Sequence, residues 1–152
     1  PAEESSGGPA EVSGRVGLTP IQEWFFSEHT VAPDHYGMSA QVELAPDTDT
    51  ALLERALGAV VAHHDALRMR YTRDGGTWLQ EYGDADAGGQ RLTVRDLSAL
   101  ADDERDAALH EAALAAQRSL DLASGTVVKG VFFRLGPSRL PRLFLAVHHL
   151  VM

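Results

Sequence analysis

The positions of apolar and polar residues predict strands and helices that alternate along the chain. In MSAQVEL, Met38, Ala40, Val42 and Leu44 alternate with polar residues, and this period of two predicts a strand with one buried face. In ALLERALGAVVAHHDAL, apolar residues recur every three or four positions instead. That spacing predicts an amphipathic helix of several turns.

After this helix the period returns to two. In LRMRYT, Leu67, Met69 and Tyr71 fall on one side of a strand, and Arg68 and Arg70 fall on the other. RDGG is a turn signal, and TWLQEY predicts the returning strand of a hairpin. DADAGGQ predicts a loop, and LTVRDL predicts a further short strand.

The second half of the chain predicts a long helix and a second hairpin. ADDERDAALHEAALAAQRSL is rich in Ala, acidic early and basic late, which suits a helix and its dipole. TVVKGVFFRL and LPRLFLAVHHLVM predict paired strands, and the second is so apolar that we expect it to be central and covered on both sides. The order of elements predicts an α/β fold of the α+β two-layer type, with a mixed sheet covered by helices.

The beginning of the chain differs from the rest in composition. Residues 1–14, PAEESSGGPAEVSG, contain almost nothing to bury and predict a flexible linker. Order is expected from VGLTPIQEWFF onward, where Thr19 caps a short helix with Pro20 at its first position. Ile21, Trp24 and Phe25 follow at helical spacing, and we expect them to share one face.

Length, charge and cysteine content limit the class of protein. The chain has 152 residues, a formal net charge of -9 and no cysteine, and its length suits one domain or one lobe of a larger domain. The acidic balance argues against binding nucleic acid or an acidic membrane. The sequence has no apolar run long enough to span a bilayer and no secretory signal. Together with the absence of cysteine, this predicts a cytoplasmic protein.

Two adjacent histidines, His148 and His149, end the last predicted strand. Because neighbours on a strand point to opposite faces, we expect one imidazole in the interior and the other toward a cleft or solvent. A histidine at a strand end suits general acid–base chemistry near neutral pH. A hydrogen-bonded core histidine beside a surface histidine fits the same pattern. A metal site is not expected, since adjacent strand histidines do not chelate one ion and no third ligand has a familiar spacing.

Other polar residues carry weaker signals. His63, His64 and Asp65 lie near the end of a predicted helix, where we expect them to be structural or solvated. Arg68 requires a carboxylate partner if it is buried. The sequence contains neither a G-x-S-x-G elbow nor a glycine-rich phosphate loop.

Several segments together resemble the condensation-type domains of nonribosomal peptide synthetases. HHLVM resembles the start of their HHxxxDG motif, HHDALRMRY resembles an LRxRF-like block, and SLDLASGTVVKGVFF resembles DLxxGPLL, with Thr126 where Pro is usual. Condensation domains proper open with SxAQxR. LTPIQEWFF instead resembles the PIQxWF opening of the epimerization subfamily, matched by Pro20, Ile21, Gln22, Trp24 and Phe25.

The resemblance covers about Val16 to Met152. It implies two chloramphenicol-acetyltransferase-like lobes with the active site in the tunnel between them. Residues 15–152 are then most of the N-terminal lobe, and residues 1–14 are the linker from an upstream carrier protein. One segment departs from the subfamily: HYGMS stands where HFNQS is common, with Gly37 and Met38 in place of the amide pair.

The resemblance also implies roles for three residues. His149 is expected to act on the substrate, and His148 to support the local structure. Arg68 is expected to pair with the Asp of the HHxxxDG motif, which would follow Met152.

The implied reaction is epimerization, from L to D, at Cα of an aminoacyl or peptidyl thioester. The thioester stabilises the carbanion as an enolate, so a base removes the α-proton and an acid returns one on the other face. In the resembling enzymes the second histidine works with a glutamate of the C-terminal lobe. The domain itself is expected to bind no cofactor and no metal, because the phosphopantetheine belongs to a peptidyl carrier protein upstream in the same polypeptide. Residues 1–152 alone are expected to be inactive.

Two alternatives stay open. A condensation domain would use the same histidine to assist attack of an amine on a thioester, although the PIQEWFF opening argues against it. The other alternative is a non-catalytic module that only docks carrier proteins.

Overall fold

The computed structural model describes residues 13–84 and 90–152. Most of the predicted linker, residues 1–12, and residues 85–89 of the predicted loop DADAGGQ lie outside this part of the chain. The described chain forms the strands and helices β1 Gly14–Val16, α1 Pro20–Glu28, β2 Gly37–Glu43, α2 Thr50–His63, β3 Met69–Asp74, β4 Thr77–Tyr82, β5 Leu92–Asp96, α3 Asp102–Arg118, β6 Val128–Arg134 and β7 Arg142–His148. Short 3-10 turns occupy Pro33–His35, Asp65–Arg68 and His149–Val151.

The strands form two sheets. β1, β4 and β3 pair in that order and are antiparallel. β2, β7, β6 and β5 form the second sheet, in which β5 and β6 are the parallel pair. The predicted mixed sheet is confirmed. The division into two sheets and the short strand β1, which begins inside the predicted linker at Gly14, were not predicted.

Helices cover both faces of the four-stranded sheet. α3 packs against Phe133, Phe144 and neighbouring apolar residues on one face. On the other face, Leu53 of α2 packs with the cluster that contains Phe132 and Leu143. β7 lies between β2 and β6, which confirms that the most apolar strand is central. Successive side chains of β6 and β7 therefore point alternately into the interface with α3 and into the interface with α2.

Helix α1 begins where the capping signals place it. Pro20 is its first residue, and the side-chain oxygen of Gln22 accepts a hydrogen bond from the backbone N–H of Thr19 at 2.9 Å. The amide nitrogen of Gln22 donates to the phenol oxygen of Tyr71 at 3.0 Å. Burial raises the pKa of Tyr71 to about 12, so this phenol stays neutral. Gln22 thus caps α1 and joins it to β3.

The inward face of α1 differs from the predicted one. Phe25 and Phe26 are buried, whereas Ile21 is 67% exposed and Trp24 is 56% exposed. Phe26 stacks on Trp78 of β4, with ring centroids 4.1 Å apart. The expectation that Ile21 and Trp24 share the buried face with Phe25 was wrong, because the β3–β4 hairpin packs against the Phe25–Phe26 side.

Strand β2 is present as predicted, but the expected buried face was wrong. β2 is an edge strand, paired with β7. Met38 is 50% exposed and Val42 is 47% exposed. Leu44, just after β2, packs against the core cluster that β5, β6, β7 and α2 form on this side of the sheet. Met38 and Val42 lie on the same side but extend beyond this cluster and remain exposed.

Helix α2 ends earlier than predicted, at His63, and a 3-10 turn follows at Asp65–Arg68. β3 begins only at Met69. The placement of Arg68 on a strand face beside Arg70 was therefore wrong, because Arg68 belongs to the turn. Met69 and Tyr71 are buried as predicted.

Helix α3 carries a buried arginine near its start. Arg105 Nε donates to the carbonyl of Leu97 at 3.2 Å, and its terminal nitrogens contact Leu100 O and Asp102 Oδ1, each at 2.6 Å. These contacts tie the helix to the end of β5. None of the helices in residues 13–84 and 90–152 has the length and apolar composition needed to cross a membrane.

The N-terminus of α2 provides a test of the local structure. Asp49 Oδ1 accepts hydrogen bonds from the backbone N–H groups of Ala51 at 2.8 Å and Leu52 at 3.3 Å. Asp49→Ala leaves these donors without the cap and is expected to lower the free energy of unfolding by about 1 kcal/mol. Urea titration measures the change. The control Asp47→Ala removes an exposed acid of the same loop that does not cap α2, and an equal loss in both variants would contradict the capping role.

Candidate active site

His148 is the last residue of β7, and its side chain is fully buried. The backbone N–H of Leu150 donates to Nδ1 at 3.2 Å, so that nitrogen carries no proton. Nε2 lies 2.9 Å from the carbonyl oxygen of Pro33, to which its N–H donates. Burial lowers the pKa of His148, only partly offset by the Pro33 hydrogen bond and the charge of Asp34. His148 is therefore a neutral imidazole with both nitrogens engaged.

His149 lies on the opposite side of the chain, exposed to solvent. Its backbone N–H donates to the carbonyl of Tyr36 at 2.8 Å. The predicted division into one interior and one outward histidine is confirmed. Strand alternation alone does not produce this division, because β7 ends at His148 and His149 begins a 3-10 turn.

Both histidines contact the turn that precedes β2. Pro33 and Tyr36 supply the two carbonyl acceptors. The turn is held by Asp34, whose carboxylate accepts from the backbone N–H of Leu122 at 2.7 Å. Ala32, at the start of the turn, has a φ of 48°, an uncommon left-handed conformation for a residue with a side chain. Three chain segments thus meet here: the end of β7, the turn before β2 and the segment at Leu122.

Aromatic rings fill the space beneath this junction. Phe25 of α1 meets His148 edge to face at a centroid distance of 6.0 Å and meets Tyr36 in the same way at 5.3 Å. His29 packs on Tyr36 at 4.0 Å and on Phe25 at 4.7 Å. Neither His29 nor Tyr36 was predicted to be part of the site. The spacing of four between Phe25 and His29 at the end of a predicted helix was an available signal.

Arg68 is buried and has a carboxylate partner in its own turn. Its guanidinium forms an ion pair with Asp65 and donates to the carbonyl of Gly83 at 3.3 Å. Asp65 had been predicted to be structural or solvated, and its side chain is 44% exposed. Asp65, three residues earlier, is therefore a carboxylate partner of the buried Arg68. It differs from the predicted partner, the Asp of the HHxxxDG motif.

His63 and His64 remain on the surface at the end of α2. Their rings meet edge to face at 4.9 Å. This agrees with their interpretation as solvated residues. Among the residues that the structure describes, no three His, Cys, Asp or Glu side chains converge as metal ligands would.

A cavity of about 640 Å³ lies at the other end of the four-stranded sheet. The β6–β7 connection lines it from Leu135 to Pro141, together with residues 46–48. Asp96 and Arg134 contribute charges of both signs. Neither histidine of the pair borders this cavity. The sheet separates it from the junction that holds His148 and His149.

Comparison with known proteins gives relatives over nearly the whole chain. Residues 12–152 match the family described as Condensation domain. One component of the linear gramicidin synthase of Brevibacillus parabrevis is 39% identical over 141 residues, which is 93% of this chain and 3% of that protein. Chondramide synthase cmdD of Chondromyces crocatus is 36% identical over 143 residues, or 93% of this chain and 4% of that protein. The chain thus spans a small part of these relatives.

Solved structures show the same fold. The epimerization domain from the third module of tyrocidine synthetase B has a TM-score of 0.81 and 31% identity, covering 91% of this chain and 31% of that one. The starter condensation domain of rhizomide synthetase has a TM-score of 0.74 at 20% identity, covering 90% and 31%. These likenesses confirm the predicted chloramphenicol-acetyltransferase-like fold class. The chain therefore belongs to the condensation domain family of nonribosomal peptide synthetases.

Proposed function

We propose that the protein to which this chain belongs epimerizes Cα of an aminoacyl or peptidyl thioester from L to D. His149 exchanges the α-proton with the substrate. The reaction needs a base on one face of the planar enolate and an acid on the other. The second group is a glutamate of the C-terminal lobe, as the resemblance to epimerization domains implies.

The observation that carries this proposal is the presentation of His149. Its side chain is exposed, while its backbone is held by Tyr36 and by the buried ring of the preceding histidine. A base must reach its proton within hydrogen-bond distance in a defined geometry. An exposed imidazole on a restrained backbone meets that requirement, and no other histidine of the described chain follows a central strand.

Epimerization is favoured over condensation by two observations. The solved epimerization domain of tyrocidine synthetase B is 31% identical to the chain, whereas the starter condensation domain of rhizomide synthetase is 20% identical. The opening segment also retains the PIQxWF pattern. In this segment Gln22 has a structural role, since it caps α1 and binds Tyr71. The opening segment therefore supports epimerization only through its similarity to the subfamily pattern, because Gln22 has a structural role there.

His148 and Arg68 support the site in this proposal without touching the substrate. The ring of His148 joins the end of β7 to Pro33 and to Leu150. Arg68 stabilises the turn before β3 through Asp65. We expect Arg68 to approach the motif Asp beyond Met152 as well.

The proposal includes partners outside the chain. The substrate is carried on the phosphopantetheine of a peptidyl carrier protein upstream in the same polypeptide, and the C-terminal lobe completes the tunnel. The domain itself supplies only side chains, with no cofactor or metal of its own.

Condensation is the second candidate function, because the family that matches residues 12–152 is the condensation domain. The same histidine would then orient an amine for attack on a thioester. The two reactions differ in a measurable way, since only epimerization exchanges the α-proton with solvent. A module that only docks carrier proteins would show neither reaction.

His149→Ala in the complete protein is expected to slow α-proton exchange by about 10²–10⁴-fold. The reason is that the α-proton of a thioester is a weak acid, which reacts slowly without a positioned base. The measurement is deuterium incorporation from solvent at Cα of a carrier-bound aminoacyl thioester, read by mass spectrometry with chiral analysis of the released amino acid.

The matched control is His63→Ala, which removes another exposed histidine and should leave the exchange rate unchanged. Exchange by His149→Ala at the wild-type rate would remove this histidine from the mechanism. Peptide-bond formation by the wild type without any α-proton exchange would establish condensation instead.

The buried neutral ring of His148 predicts a pH dependence of stability. The pKa of His148 is lower in the folded protein than the ordinary value near 6.5, so the unfolded chain binds the proton more readily. Its contribution to stability is complete above about pH 6.5 and is lost as pH falls through the lowered pKa. A single titrating group contributes at most about 1.4 kcal/mol per pH unit to this dependence.

Urea unfolding at pH 7.5 and pH 5.5 measures this effect. His148→Gln should be less stable at pH 7.5 and should lose less stability than the wild type on acidification. His149→Ala keeps the buried ring and should retain the wild-type slope. Identical slopes for the wild type and His148→Gln would show that the buried imidazole does not control acid sensitivity.

A further inference from the structure

An apolar strip, exposed along its β2 edge, runs along the sheet toward the histidine pair. β2 and β7 are antiparallel, with Met38 opposite Val147 and Gly37 opposite His148. Residues directly opposite each other in such a pair place their side chains on the same face. The strip consists of Met38, Ala40 and Val42 from β2 and Leu143, Leu145 and Val147 from β7. Its β2 half is exposed, whereas Leu143 and Leu145 pack with the α2 cluster and Val147 packs with the cluster that contains Phe25. All six side chains are apolar.

The strip is open at the end that lies beside His149. Met38 is 50% exposed there. The other face of the sheet is closed at the same level, because a Cβ added to Gly37 would lie 2.8 Å from Cδ1 of Leu120. The hydrogen bond from His149 N–H to Tyr36 O continues the β2–β7 pairing. Along the strand direction, Met38 is therefore only two residues, or roughly 7 Å, from the level of His149.

The chemistry of the strip limits what it can accept. It offers no charge, no hydroxyl and no amide over its six positions. A polar group placed against Met38 would lose its hydrogen bonds to water without gaining new ones, whereas an apolar group would gain from burial. Discrimination at this position therefore favours an apolar ligand group.

We infer that Met38 determines substrate specificity and that the exposed end of the strip at Met38 receives the apolar side chain of the thioester-bound residue. This inference rests on the proposed function, since it places the side chain of the residue whose Cα faces His149. The substrate class is an aminoacyl or peptidyl thioester with an aliphatic or aromatic side chain at the reacting residue.

The test compares α-proton exchange of leucyl and asparaginyl thioesters on the carrier protein of the complete enzyme. Leu and Asn have similar shapes and differ in polarity. The wild type should exchange the leucyl thioester about tenfold faster or more. Met38→Gln supplies an amide partner and should reduce this ratio by about tenfold. Met38→Leu keeps an apolar side chain of similar volume and should retain the wild-type ratio.

Val42→Gln is the matched control, because Val42 is 47% exposed on the same face of the same strand. It lies opposite Leu143, roughly 20 Å from the level of His149. If the substrate side chain binds at Met38, Val42→Gln should keep the wild-type ratio of leucyl to asparaginyl exchange. If other parts of the polypeptide cover the strip instead, both Gln variants lose stability alike and neither changes the ratio, which overturns the inference.

Two further outcomes separate this inference from the proposed function. Equal exchange of the leucyl and asparaginyl thioesters by the wild type contradicts the role of Met38 and leaves epimerization standing. Absence of exchange with both thioesters contradicts epimerization itself, and the inference fails with it. The ratio of the leucyl to the asparaginyl exchange rate is measured on the wild type. These two outcomes can therefore be observed even if Met38→Gln does not fold.

Discussion

The geometry around the histidine pair depends on the requirement that the buried ring of His148 be fully hydrogen-bonded. A polar group without a partner in the interior loses the bonds that water would make, at a cost of about 1–3 kcal/mol. His148 avoids this cost by accepting from Leu150 N–H and donating to Pro33 O. These two contacts join the end of β7, the turn before β2 and the turn after β7. As a result, the backbone of His149 has little freedom although its side chain is in solvent.

The same requirement governs the buried charges and amides elsewhere. Arg68 and Arg105 each form an ion pair with an acid three residues earlier, Asp65 and Asp102. Both arginines also donate to backbone carbonyls. Such ion pairs offset part of the cost of burying each guanidinium. The buried side chains of His148, Arg68 and Arg105 thus form hydrogen bonds or ion pairs within the fold. The imidazole of His149, at the end of the central strand, is exposed to solvent instead.

Large apolar side chains that remain in solvent have a different significance. Ile21 and Trp24 on α1 are more than half exposed, and Met38 and Val42 on β2 are close to half exposed. Exposed apolar patches mark surfaces that contact something else. The chain covers 31% of the solved epimerization domain that it resembles. Met38 lies near the level of the histidine pair and therefore bears on the proposed chemistry. Val42 lies further along the same strand, and the α1 positions lie on another element.

The sequence by itself determined the type and order of nearly all the elements, because a period of two or of 3.6 depends only on local geometry. The same is true of the helix start at Pro20 and of the histidine pair at the end of an apolar strand. The tertiary structure decided which faces are buried. Phe26 rather than Trp24 points inward because the β3–β4 hairpin packs on that side, and Met38 is exposed because α2 packs beside β2 instead of over it. It also decided that β7 ends at His148 and that Asp65 pairs with Arg68. These outcomes depend on which element lies next to which, and periodicity along the chain does not contain that information.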